Sequence, residues 1–311
     1  LGTNSGPIWL IWTHSNSTVK REDVLAKESR LPDCRGRKKR RFARIDPMPT
    51  ETIRLAFDDV TFRVVYEGPK GTPPIMFSNS LGASLEMWDA QAAHFAKDRR
   101  VIRYDVRGHG ETSATPGPYS LGLLAHDALR ILDALHLHKV DWVGCSMGGM
   151  VGQWLLSHHR DRIGKAVLGN TAAFMGPPTT DWNARIRMAH QKGMAPIADA
   201  MKLRWFTKRF NEVNPAEVTR VTDMVKQASP AGYAGCCAAI RDMDQREAIK
   251  GITNDVLVVI GDQDPATTPA MGEIMVQHIR GARKVVLPAA HISNCEVPEA
   301  YNQAVSAFLN G

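Results

Sequence analysis

The sequence predicts an α/β chain in which a mostly parallel sheet carries helices on both faces and a helical lid is inserted between two βα units. Three observations lead there. From residue 52 onward, short apolar runs alternate with amphipathic stretches of about 10 to 15 residues, as strands joined by crossover helices do. One block, 172–250, breaks this alternation and is nearly all helical in pattern. The string Gly144-Cys145-Ser146-Met147-Gly148 falls directly between a strand pattern and a helix pattern.

Taken in order, 52–57 and 61–67 alternate apolar and polar residues around Asp58-Asp59, and they read as an antiparallel hairpin at one sheet edge. The short apolar runs 74–79 and 100–104 are strands separated by an amphipathic stretch, 86–97. Helical spacing over 121–137 puts Leu124, Ala128, Ile131, Leu132 and Leu135 on one face. A strand at 140–144, a helix at 148–158 and a strand at 163–168 follow. The interruption holds helices at 182–191, 195–206, 215–227 and 230–241. After it come a strand at 255–260, a helix at 269–279, a strand at 284–287 and a helix at 298–309. The core is then 48–171 with 251–311. The block 172–250 is a lid over the carboxyl end of the sheet, where ligands bind in such folds.

Composition sets the outer bounds. With 43% hydrophobic and 23% charged residues, the chain is neither disordered nor fibrous. No run approaches the roughly 18 to 20 apolar residues of a membrane span. The short run 7–12 lacks the basic flank and length of a signal peptide, so a cytoplasmic protein is expected. The net charge of +7 is concentrated: residues 1–47 carry eleven Lys and Arg against five acids, and the rest of the chain is nearly neutral. This first segment, with Arg35-Gly-Arg-Lys-Lys-Arg-Arg, shows no sustained period and reads as a basic, disordered extension, with Met48 a natural opening to the first strand. A nucleic-acid role would rest on residues 35–44 alone. The five cysteines (Cys34, Cys145, Cys236, Cys237 and Cys295) form no C-x-x-C pair and read as core-filling thiols, so no metal site is expected.

The string at 144–148 has the form G-x-S-x-G, and its setting is that of a nucleophile elbow, where a serine stands on a tight strand-to-helix turn. Small flanking residues are needed because a Cβ there would strike the neighbouring strand and helix. A serine hydroxyl needs a base, and on a sheet of this kind the order along the chain is serine, acid, histidine. Of the histidines after Ser146, His158 and His159 lie on the helix leaving the elbow, His190 in the lid and His278 inside a helix. His291 lies in the loop after the last strand, at the sheet's carboxyl edge, and is selected by position. The acid belongs in Gly261-Asp262-Gln263-Asp264-Pro265, which offers Asp262 and Asp264; spacing does not choose between them. An oxyanion would be held by two backbone N–H groups, Met147 after the nucleophile and Leu81 in the loop after strand 74–79.

Ser78-Asn79-Ser80-Leu81-Gly82 followed by Met87-Trp88-Asp89 resembles the 3-oxoadipate enol-lactonases of the α/β-hydrolase superfamily, as do Arg107-Gly-His-Gly, Ser146-Met-Gly-Gly, Arg204-Trp-Phe and His291-Ile-Ser. The resemblance runs from about residue 50 to the C-terminus. Carried over by motif, it places the nucleophile on Ser146, the acid on Asp264 (the fourth residue of Gly261-x-x-Asp) and the base on His291. It implies hydrolysis of a small enol-lactone bearing one carboxylate, giving 3-oxoadipate in aromatic-compound degradation, with no cofactor or metal. The substrate carboxylate would want a cation, and Arg204 is the first choice, with Arg185 and Arg187 as others. Trp205 would be an apolar wall, and His109 structural. Other esterases, thioesterases and carbon–carbon bond hydrolases would use the same three residues; a non-catalytic binding protein on this fold need not keep all three.

Overall fold

The computed structural model describes residues 9–11, 50–176 and 180–311. The expectation for residues 1–47 lies outside these, apart from three residues. Nine strands form one sheet: β1 (Trp9–Ile11), β2 (Glu51–Ala56), β3 (Thr61–Glu67), β4 (Pro74–Ser78), β5 (Arg100–Tyr104), β6 (Val140–Cys145), β7 (Ile163–Gly169), β8 (Val256–Gly261) and β9 (Arg283–Leu287). Their order is β1-β2-β3-β5-β4-β6-β7-β8-β9. Pairings from β5 to β9 are parallel, and β1, β2 and β3 are antiparallel to their neighbours. β1 was not foreseen, because pairing on the free edge of β2 uses backbone groups and leaves no side-chain period in three residues.

The helices are α1 (Asp89–Phe95), α2 (Leu121–Ala134), α3 (Met147–His158), α4 (Trp182–Lys192), α5 (Ala195–Trp205), α6 (Lys208–Val213), α7 (Pro215–Gln227), α8 (Pro230–Arg241), α9 (Pro269–His278), α10 (Ser293–Glu296) and α11 (Pro298–Asn310). α1 packs with α11, and α2 with α3, giving the sheet its two covering layers. β5 and β8 are buried along their whole length, as strands covered on both faces must be. The five helices α4 to α8 are all inserted between β7 and β8.

Some expected elements change at their ends. The helix begun at Leu121 stops at Ala134, and the chain reverses at His136 with φ 55°. The amphipathic stretch at 86–97 divides into a 3-10 turn, Leu85–Trp88, and α1. α6 buries no residue and so leaves no apolar stripe to read.

Strand order reverses around β4, which lies between β5 and β6. The loops leaving β4 and β6 therefore diverge over a crevice at the sheet's carboxyl edge, a topological switch point. The insertion meets the core there at a tight seam. A Cβ built on Gly232 of α8 would lie 2.4 Å from Cα of Gly108, and one on Gly108 would lie 2.4 Å from Cα of Gly232. Ser229 N–H donates to Gly108 O (3.0 Å) and Tyr119 N–H to Gly235 O (3.2 Å), so the contact is backbone on backbone.

Candidate active site

Ser146 sits between β6 and α3 with φ 53° and ψ −114°, a conformation that costs a non-glycine residue about 1 to 3 kcal/mol and persists only where the surroundings hold it. They do so at both ends of the residue. Ser146 N–H donates to Gly169 O (2.9 Å), and the Thr171 hydroxyl donates to Ser146 O (2.7 Å). The flanking glycines are forced: a Cβ on Gly144 would lie 2.2 Å from Gly148 O, and one on Gly148 would lie 2.1 Å from Ser78 O.

Asp264 and His291 come together from the loops after β8 and β9. His291 Nδ1–H donates to Asp264 Oδ2 (2.8 Å), and both side chains are buried. The Thr267 hydroxyl donates to the same oxygen (2.7 Å), as does Asn170 Nδ2–H (3.2 Å). The N–H groups of Ala266 (2.8 Å) and Thr267 (3.0 Å) donate to Oδ1. Burial alone would push the Asp264 carboxyl up, but the His291 charge and these hydrogen bonds hold it below its ordinary value. Asp262 is exposed and accepts only from Gln263 (3.3 Å), so the geometry separates the two carboxylates that spacing could not. Asn170 also donates to Ala290 O (3.0 Å), joining the acid loop to the histidine loop.

A pocket lined by residues of both the core and the insertion opens onto Ser146 and His291. Leu81 lines it, and Met147 is buried at the start of α3, where the helix N-terminus favours negative charge. Among the described residues, neither the Leu81 N–H nor the Met147 N–H has a hydrogen-bond partner, whereas their neighbours are occupied: Gly148 N–H donates to Asn79 O (3.1 Å) and Gly82 N–H to His109 Nε2 (2.9 Å). His109 is fully buried and its Nδ1–H donates to Arg107 O (3.1 Å), which fixes the neutral tautomer; burial pulls its pKa down to about 4. Arg107 holds Asp127 with two hydrogen bonds (2.8 and 2.6 Å), so the Arg-Gly-His-Gly turn serves the framework.

The insertion supplies the opposite wall: Trp182, Arg185, Met201, Arg204 and Trp205. Arg185 lies over the Trp182 ring, 5.2 Å from its centroid. Among the described residues, no carboxylate pairs with Arg185 or Arg204. Burial, then the nearby Arg185 charge, pulls the Arg204 pKa below its ordinary value, so this pair is short of negative charge. Arg187 is exposed, 4.0 Å from Asp181, and takes no part in the cavity, which corrects its place among the candidate cations. Trp182 and Thr267 were missed. Trp182 opens a helix whose spacing does not show which face meets the cavity, but Asp-Pro-Ala-Thr at 264–267 carried a legible signal, an Asp before N–H groups two and three residues on.

A serine hydroxyl and a histidine tied to a buried carboxylate at one cavity, with the Leu81 and Met147 N–H groups unpaired among the described residues, can together perform acyl transfer. A family profile described as alpha/beta hydrolase fold matches residues 73–297, and the chain belongs to that family. It is 40% identical over 255 residues to 3-oxoadipate enol-lactonase 2 of Acinetobacter baylyi, covering 82% of this chain and 95% of that one. It is 36% identical to 3-oxoadipate enol-lactonase 1 of the same organism, covering 80% and 93%. The crystal structure of the enol-lactonase from Burkholderia xenovorans superposes with a TM-score of 0.81 at 39% identity, covering 83% of this chain and all of that one. Within the α/β-hydrolases the chain thus belongs to the enol-lactonase family, and it is an enzyme of the carboxylic ester hydrolase class. Among the described residues, no helix is long and apolar enough to cross a membrane.

Proposed function

We propose that the chain hydrolyses 3-oxoadipate enol-lactone to 3-oxoadipate in the breakdown of aromatic compounds, with Ser146 as nucleophile, His291 as base and Asp264 as its orienting acid. The observation that carries this reading is one cavity holding Ser146 and His291 on one side and, on the other, two arginines that pair with no carboxylate among the described residues. The lactone fits that polarity, since it offers a carbonyl to the serine and a carboxylate to the cations.

Ser146 Oγ attacks the lactone carbonyl while its proton passes to His291. The carbonyl oxygen, now negative, accepts the Leu81 and Met147 N–H groups; losing one such donor typically costs about 3 kcal/mol. Collapse breaks the ring C–O bond, and the leaving enol oxygen takes the proton from His291. Water, deprotonated by His291, then attacks the acyl-serine; His291 returns that proton to the departing Ser146 Oγ, the product keeps a second carboxylate, and the enol relaxes to the ketone. Asp264 holds the Nδ1–H tautomer throughout. Arg185 and Arg204 anchor the carboxylate, with Trp205 as the apolar wall beside them.

The test is the ultraviolet decay of 3-oxoadipate enol-lactone with the purified protein, with Ser146→Ala beside it. Turnover should fall by more than about 10⁴-fold in the variant. Hydrolysis of a simple aryl ester without the lactone would keep the nucleophile and discard the substrate; unchanged activity in the variant would discard the nucleophile.

A further inference from the structure

The residues on either side of His291, Ala290 and Ile292, are tied through their backbone N–H groups to the helical insertion, one by way of Glu296 and the other directly. Ile292 N–H donates to Trp205 O (3.0 Å) at the end of α5. Ala290 N–H donates to Glu296 Oε2 (2.9 Å). The same carboxylate accepts from Thr207 N–H, 3.2 Å from Oε1 and 3.3 Å from Oε2, and from the Thr207 hydroxyl. Thr207 caps α6, so Glu296 reaches the junction of α5 and α6, 89 residues away in sequence. This junction directly follows Arg204 and Trp205.

Glu296 is 8% exposed, and among the described residues no Lys, Arg or His pairs with it. A buried carboxylate without a counter-charge is costly unless several donors converge on it. Here the donors come from two segments, the loop bearing the base and the wall bearing the cations, which also meet through Ile292 N–H and Trp205 O. An amide would set an N–H in place of one accepting oxygen; a carboxylate, with two oxygens that only accept, meets every donor from both segments.

We propose that Glu296 is a positioning residue that locks the His291 loop and the arginine-bearing end of α5 into one unit, fixing the base against the wall that holds the substrate. The inference rests on the reading of His291 as base. Its consequence is a division of labour: the Ala290 bond governs the base, and the Thr207 bonds govern the wall.

The experiment uses the full chain and the variants Glu296→Ala, Glu296→Gln and Thr207→Val. Four quantities are measured: kcat and KM for the enol-lactone, the same for p-nitrophenyl acetate, the rate of Ser146 phosphonylation by an alkyl fluorophosphonate, and the thermal midpoint. Glu296→Ala should lower kcat on both substrates and the phosphonylation rate on the order of 10²-fold, as displacement of a catalytic group by about 1 Å does. Glu296→Gln, with one accepting oxygen left, should fall between wild type and Ala. Thr207→Val should raise the lactone KM with phosphonylation unmoved. Wild-type kcat and phosphonylation in both folded Glu296 variants would overturn the proposal, leaving Glu296 a structural brace whose loss shows only in the thermal midpoint. If Glu296→Ala does not fold, a wild-type kcat in Glu296→Gln together with a wild-type KM in Thr207→Val would overturn it. A wild-type protein that takes the aryl ester and the phosphonate but not the lactone would remove the substrate reading alone and leave the Glu296 comparison intact.

Discussion

The two walls of the cavity are built by different means. On the sheet side, Ser146 is fixed by backbone: a left-handed φ, glycines packed against carbonyls, and hydrogen bonds at both ends of the residue. On the insertion side, Arg185, Arg204 and Trp205 stand on ordinary helices and line the cavity with their side chains. The sheet side is over-determined by its backbone, while the two arginines sit at helical positions without a left-handed φ. The difference separates the reaction from the choice of substrate, and it can be tested from both directions.

The largest expected effect is on the sheet side. Asp264→Asn should lower kcat by about 10⁴-fold on the lactone and on a neutral aryl ester alike, because an amide favours the wrong imidazole tautomer. A loss confined to the lactone would erase the distinction between the walls. Gly148→Ala should destabilise the fold by about 3 kcal/mol, since its Cβ would meet the Ser78 carbonyl, and urea unfolding would measure it.

A third test uses pH. His109 is neutral in the fold with its pKa pulled down to about 4, while an unfolded histidine titrates near 6.5. The unfolded chain therefore binds the extra proton between these values, so stability should fall as pH drops through this window, by about 2 kcal/mol between pH 7 and 5. Asp105, pushed up to about 6 by burial, acts in the opposite sense, so the measurement is the difference in pH dependence between wild type and His109→Gln. An identical dependence in the two would refute the neutral state of the buried His109. The smallest effect is on the insertion side. Arg204→Gln or Arg185→Gln should raise the lactone KM about tenfold, the loss of roughly 1.5 kcal/mol from a charge-assisted bond, with a much weaker effect on the neutral ester and on stability.

Legibility in the sequence followed the same divide. The elbow was readable because its geometry is local: five consecutive residues dictate the turn. His291 was readable from its place after the last strand. Of the partners of Asp264, Thr267 lies three residues on in the same loop and was legible as turn chemistry, whereas Asn170 was not, because it reaches Asp264 from a separate segment in a left-handed conformation at φ 44°. The insertion showed as helices but did not reveal which face lined the cavity. Arg185 and Arg187 are two residues apart on α4, and only the packing shows that the first faces the site and the second solvent. α10, four residues long, was too short to leave a period.

The seam at Gly108 and Gly232 carries a consequence for recombination. The insertion enters and leaves the chain between β7 and β8, which invites exchange of the whole block for that of another hydrolase with a different substrate. Such a chimera inherits the core's Gly108 and must bring a residue without a side chain to the position of Gly232, because two Cα atoms meet there with no room for a Cβ. A donor block with alanine at that point would be held off the core at Gly108, and its pocket would sit out of register however well its helices folded.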